Sequence, residues 1–330
     1  MIQFLADGID QLDLALDQLA IEDRNFDRFA LMLVDNVVEL TLHQFARDRA
    51  TENTMWGRLR KPKFDPQAVE TALGRSFPNK VRLAARLNLL SDSLAESILY
   101  LHDFRNTAYH QGVRHEGILH SLALFYFRNA CEVLTAFKPL YWSSGSSDFI
   151  PHRARKYIGD VRRFGPSDGF RAVYSRLAEV AESLKGNLIG DLAVDMAKTV
   201  DEMDSTIQFL ADDAPQKVSR DKAVVEAQAW ALAFTDEAKT FARLKGYKSG
   251  TIGAYVEWLE ENFDWPFKSD PIPGWRKRHE SLQRDKDEHR ALKKYCDFLR
   301  QTEIIRSTLN EAAVQLDAYI DEQVDRARGK

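Results

Sequence analysis

A chain of 330 residues, 44% hydrophobic and 29% charged, is long enough for two domains and apolar enough to bury a core, which excludes a disordered segment. Acids and bases nearly cancel at a formal net charge of −4, which excludes a uniformly basic nucleic-acid coat and leaves any RNA contact to a local patch. With only 16 Gly and 10 Pro, the composition favours helices over turn-rich β-architecture, and the expected fold class is all-α.

Residues 1–22 carry Phe4, Leu5, Ile9, Leu12, Leu16 and Leu19 at helical spacing between Asp7, Asp10, Asp13 and Asp17, predicting an acidic amphipathic helix that must dock its apolar stripe. Acids stand at the start where a secretory signal would carry Lys or Arg, and no apolar run approaches the ~20 residues needed to span a bilayer. Cys131 and Cys296 have neither the number nor the spacing of a disulfide framework or a zinc site. Together these features predict an unexported cytoplasmic protein with no membrane partner.

The next segment, 26–46, is apolar almost all round through Ala30–Val34 and Val37–Val38, as expected of a central helix. Within it Asp35, Glu39 and His43 recur every four residues and read as its one solvated face, with Glu39 also positioned as a carboxylate that could anchor an arginine. Residues 56–66 form a basic, proline-bounded connection, and helices are predicted over 79–90 and 92–110. Leu119, Ala123, Tyr126, Ala130, Val133 and Phe137 then step by fours and threes along another helix.

Ser143-Ser144-Gly145-Ser146-Ser147 neither packs nor propagates a helix, so a linker at 143–150 is expected to divide a first domain, 1–142, from a second helical domain, 151–330. Just past it, Arg153, Arg155, Lys156, Arg162 and Arg163 face the single acid Asp160, with Tyr157 and Phe164 among them; the stretch fits an RNA-phosphate surface and a solvated rim equally well. Further helical patterns run at 170–184, 187–211, 218–245, 251–263 and 284–327. The aromatic and proline-rich segments Phe263–Phe267 and Pro271–Trp275 read as a packed corner. No Gly-rich phosphate loop or nucleophile elbow occurs, and His279 and His289 lack partners at ligand spacing, so no metal and no cofactor are expected.

One short stretch carries chemistry: Arg105-Asn106-Thr107-Ala108-Tyr109-His110, followed by Gln111-Gly112. RNA is cut without a metal when its 2′-hydroxyl attacks the adjacent phosphorus, provided one group takes the proton and another holds the growing negative charge. An imidazole suits the first task and a guanidinium the second. On a straight helix five residues turn roughly 140°, so Arg105 and His110 do not share a face, whereas Asp103, Asn106 and His110 do. Either the helix loosens before Gly112, or two copies of the chain build the cleft across a two-fold axis, which is the arrangement favoured here. A lone Arg and His in a helix are ordinarily a surface charge and a satisfied histidine, so spacing alone favours a structural role.

The wider context adds to this. Phe77-Pro78-Asn79-Lys80-Val81, then Leu89–Leu94, then Leu101-His102-Asp103-Phe104-Arg105-Asn106 followed by Tyr109-His110-Gln111-Gly112, resembles the HEPN superfamily in the version with Asn directly after the signature Arg. The resemblance spans about residues 20–140. It implies an antiparallel helical bundle that dimerises and cleaves RNA without a metal, leaving a 2′,3′-cyclic phosphate. It also implies a toxin or effector of a prokaryotic toxin–antitoxin or anti-phage system, with an antitoxin or other regulatory protein as partner. Carried over by position, the catalytic residues are Arg105 and His110 with Asn106 beside them, and Asp103, Tyr109 and Glu39 stand as supporting candidates. The other class of function in view is a catalytically silent helical module that binds RNA or nucleotide or holds a defence complex together.

Overall fold

The computed structural model describes residues 1–57, 61–110, 116–142, 150–158, 166–248 and 250–328. Among these residues there are fourteen α-helices and no strand, as the composition predicts. They are α1 (Ile2–Leu19), α2 (Arg24–Gly57), α3 (Pro66–Leu73), α4 (Phe77–Arg86), α5 (Asp92–His110), α6 (Leu119–Ala136) and α7 (His152–Ile158), followed by α8 (Pro166–Glu182), α9 (Leu188–Asp212), α10 (Arg220–Ala233), α11 (Asp236–Leu244), α12 (Ile252–Asn262), α13 (Ile272–Gln283) and α14 (Glu288–Ala327).

Two compact units emerge, one comprising Met1–Leu192 with Lys286–Lys293 and the other Ala193–Asp285 with Lys294–Lys330. The division expected at 143–150 is therefore displaced. Helix α8 buries Phe170, Val173, Tyr174, Leu177 and Ala181, and it finds the partners for that apolar face on α6 and α1 while α7 packs on α1. Helices after the Ser/Gly stretch thus complete the first unit; residues 143–149 themselves lie outside the described residues.

In the first unit α2 packs against α1, α3, α4, α5 and α6, and its Leu31, Val34, Val38 and Leu42 are almost wholly buried. Helix α6 is equally central, with thirteen of its eighteen residues buried, among them Leu122, Phe125, Tyr126, Phe127 and Val133. Each such large apolar side chain contributes roughly 1.5–3 kcal/mol on burial, so α2 and α6 are the two largest single contributors to this unit's core. The turn that delivers α5 to this core is set at Asn88, whose φ of 58° is tolerated by Asn at a helix C-terminus. There the amide of Leu89 donates to Ala84 O and that of Asn88 to Ala85 O, both at 2.9 Å, so the last carbonyls of α4 are satisfied and the chain reverses.

Histidine 120 fastens α6 to its surroundings through both ring nitrogens. Nδ1 lies 2.7 Å from Asp27 Oδ1 and Nε2 lies 3.0 Å from the carbonyl of Lys185. Both partners are acceptors, so the ring satisfies both contacts only as the doubly protonated cation. The hydrogen bond to Asp27 raises the His120 pKa above its ordinary value, against the opposing effect of burial. A raised folded-state pKa stabilises the fold fully below the ordinary histidine value near 6.5 and stops doing so as pH rises through the folded value. Unfolding free energy is therefore expected to decline as pH rises through the folded value, and His120→Gln should flatten the decline. A proton-NMR titration of His120 with a midpoint below 6.5 would contradict this.

In the second unit Ala229, Ala233, Ala238, Val256, Leu259 and Trp265 form a core edged by Phe241, Trp258 and Phe263. Trp265 donates its indole N–H to Glu260 O at 3.1 Å, and Trp275 meets Phe298 edge-on at 5.7 Å. Both tryptophans are buried, so the aromatic and proline-rich segments are packed. The pattern read as one helix over 218–245 is broken at Thr235, whose side chain accepts from Ala238 N and caps a new helix, α11.

Candidate active site

Asp35 lies in the middle of α2 within the apolar run Ala30–Val38, and it is fully buried. A carboxylate removed from water costs several kcal/mol unless other groups compensate it. Three do. Tyr126 of α6 donates its hydroxyl to Asp35 Oδ1 at 2.8 Å, and His102 Nδ1 of α5 lies 2.9 Å from the same oxygen. Arg105 Nε, one turn beyond His102 on the same face of α5, stands 3.3 Å from Asp35 Oδ2 as an ion-pair contact outside hydrogen-bond geometry.

Burial and the adjacent Asp35 charge push the Tyr126 phenol well above its ordinary pKa, so it stays protonated and remains a donor. The His102 ring is sandwiched in place by Phe77 of α4, stacked at 4.0 Å between centroids with 17° between planes. Arg105 in turn donates from Nη1 to Asn106 Oδ1 at 3.0 Å. Its side chain is 30% exposed, so a guanidinium fixed from below by a buried carboxylate still reaches solvent. Such a group can hold an anion with little loss of side-chain freedom.

Of the residues singled out in the sequence, Arg105 and Asn106 come together, and Asp103 is exposed on the same helix. The reading of Asp35, Glu39 and His43 as a solvated face is corrected. That stripe turns toward α4 and α5: Asp35 is buried, and burial followed by the nearby Lys80 and Arg47 charges lowers the His43 pKa, keeping it neutral. Glu39, expected to anchor Arg105, pairs instead with the buried Lys80 at 3.5 Å, while Lys80 donates to Gly74 O at 2.8 Å. The anchor sits one turn earlier, at Asp35, because that turn of α2 is level with His102 and Arg105. Helix α5 stays helical through His110, but the side chains of Tyr109 and His110, and residues 111–115, lie outside the described residues.

The basic stretch is engaged inside the first unit. Arg153 Nη1 reaches Asp13 at 2.8 Å and Asp17 at 2.5 Å, and Lys156 reaches Asp13 at 3.0 Å. Tyr157 donates its hydroxyl to Asp13 at 2.6 Å and Arg155 Nε donates to Ile150 O at 2.9 Å. The charges of Arg153 and Lys156 are thus used to neutralise the acidic helix α1; Arg162 and Arg163 lie outside the described residues.

Sequence reasoning missed Asp35 as the partner of Arg105, and His102 and Tyr126 as the groups that share that carboxylate. Two signals pointed to them: a lone acid inside an otherwise apolar helical run, and a His three residues before an Arg, which places both on one helix face. Among the described residues no three His, Cys, Asp or Glu side chains are grouped so as to hold a metal ion. Compared with family models, curated proteins and solved structures, the chain matches none of them.

Proposed function

We propose that this chain is a metal-independent endoribonuclease of the HEPN type, active as a homodimer in the cytoplasm and serving as the toxin or effector of a prokaryotic toxin–antitoxin or anti-phage system. The observation that carries the reading is Arg105, anchored through the buried Asp35 and braced by Asn106, five residues ahead of His110 on one helix. In this reading the ribose 2′-oxygen attacks the neighbouring phosphorus and the 5′-oxygen departs. His110 takes the 2′-proton or supplies one to the leaving oxygen, and Arg105 holds the non-bridging oxygens as their charge grows. The products are a 2′,3′-cyclic phosphate and a 5′-hydroxyl. Helices beyond the bundle regulate the activity or recognise its trigger.

The test is RNA cleavage by the purified full chain in excess EDTA, with product ends identified by mass spectrometry. Wild type should cleave, and Arg105→Ala and His110→Ala should each lose about 100-fold or more in rate. Cleavage retained by both variants would remove the assignment, and dependence on a divalent ion would remove the metal-free chemistry. One observation favours the second reading, a silent RNA- or nucleotide-binding module. Because α5 is unbroken through His110, a five-residue step turns roughly 140°, and one chain alone does not direct both positions at one phosphate. The cleavage assay decides between them, and light scattering tests the shared cleft: the enzyme is expected to be dimeric at micromolar concentration, and full activity from a strict monomer would sink that geometry.

A further inference from the structure

A cavity of about 330 Å³ opens in the first unit between α1, the end of α6, the non-helical segment 137–142 and α8. Its walls are aromatic, with Phe137, Trp142, Phe170 and Tyr174 among the lining residues, and its charged groups are Lys138 and Arg171. No carboxylate lines it. Acids outnumber bases in the chain by 50 to 46, and the cations Arg128, Arg153 and Lys156 of the same unit are each paired with one. Lys138 and Arg171 differ: among the described residues neither has a hydrogen-bond or ion-pair partner. Two uncompensated cations in one concavity make it selective for an anion.

The aromatic part specifies more. Trp142 stacks on Phe170 with 5.8 Å between centroids and 22° between planes. Phe170 is 3% exposed and Trp142, which lines the cavity, is 36% exposed, so a buried ring backs a partly exposed indole at the cavity wall. A flat ring attached to a phosphate satisfies both halves of the lining, and the cavity has the size of a small-ligand site.

We propose that this cavity binds a nucleoside monophosphate, with the base stacked on Trp142 and the phosphate held by Arg171 and Lys138. Arginine offers the phosphate two parallel N–H donors, and stacking on an indole accepts any base. The proposal is independent of the ribonuclease reading, since no residue of the Arg105 cluster lines the cavity. A free nucleotide and the 5′-terminal nucleotide of an RNA present the same chemistry.

The test is calorimetric titration of the full chain with AMP, adenosine, inorganic phosphate and a 5′-phosphorylated, fully 2′-O-methylated oligonucleotide. AMP is expected to bind saturably with a Kd on the order of 1–100 μM, and adenosine or phosphate alone about tenfold more weakly or worse. Trp142→Ala and Arg171→Glu should each weaken AMP by about tenfold, and Lys138→Glu, at an exposed non-helical position, provides a variant with little risk to the fold. Arg105→Ala should bind AMP like wild type, which separates failure here from failure of the cleavage reading. Binding of the oligonucleotide without AMP would place an RNA end in the cavity by the same contacts. Absence of saturable binding by both ligands, or binding unchanged in all three cavity variants, would overturn the proposal.

Discussion

Replacing Asp35 with Ala is expected to lower the unfolding free energy by about 3–5 kcal/mol, as removal of one partner from a buried ion pair does. The loss exceeds that of a simple cavity because three groups are stranded at once. Tyr126 keeps its proton with nowhere to donate it, His102 loses the acceptor that fixes its ring, and Arg105 loses its buried counter-charge. Tyr126→Phe removes one hydrogen bond to a charged acceptor and should cost about 1.5–3 kcal/mol. Asp35→Asn separates stability from chemistry. It keeps the volume and one acceptor oxygen but removes the charge that holds Arg105, so the variant should fold while the proposed RNA cleavage falls about 100-fold. Urea unfolding followed by circular dichroism measures the first effect and single-turnover cleavage the second. An Asp35→Ala variant within about 1 kcal/mol of wild type would show that the cluster is not a stabilising unit.

Asp13 is the second residue whose loss should be severe, with an expected cost of about 3 kcal/mol for Asp13→Ala. It is buried at 4% exposure and collects Arg153, Lys156 and Tyr157, so it is the point through which α7 is held on α1. Much of the cost comes from the stranded Tyr157 hydroxyl; Arg153 keeps its contact to Asp17, and Lys156, half exposed, adds little. Burial pushes the Asp13 pKa up, but hydrogen bonds from Tyr157, Lys156 and Arg153 outweigh it and hold the carboxyl below its ordinary value. A depressed folded-state pKa contributes stability that is present above the ordinary carboxylate value and is lost as pH falls through the folded value. Wild type should therefore lose stability on acidification below about pH 4, and Asp13→Asn, already lacking the charge, should show a shallower loss over the same window. Equal acid profiles for the two proteins would refute the assignment of that loss to Asp13.

Much of the helical layout was legible along the chain, and the omissions have local causes. Helix α3 follows a capping signal, Asp65 accepting from Gln67 N and Ala68 N with Pro66 at the first helical position, yet eight residues carry too little periodicity to stand out. Helix α13 begins inside the stretch read as a corner, because Asp270 Oδ1 accepts from Ile272 N and Pro273 is compatible with a first helical turn. Helix α2 continues to Gly57, past the point where its apolar pattern thins, since α3 gives its later turns a partner.

The sequence by itself determined the all-α class, the central place of the 26–46 segment, the docking of the acidic first helix and the position of Arg105 beside Asn106 on α5. Those properties depend on periods and neighbours within one helix, which a linear chain displays directly. Only the tertiary structure decided that Asp35, and not Glu39, anchors Arg105, that Arg153 and Lys156 answer Asp13, and that α8 completes the first unit. Which face of a helix is covered, and by what, is a relation between residues 67 to 143 positions apart, and the burial that changes a carboxylate from solvated to structural exists only once those helices have packed.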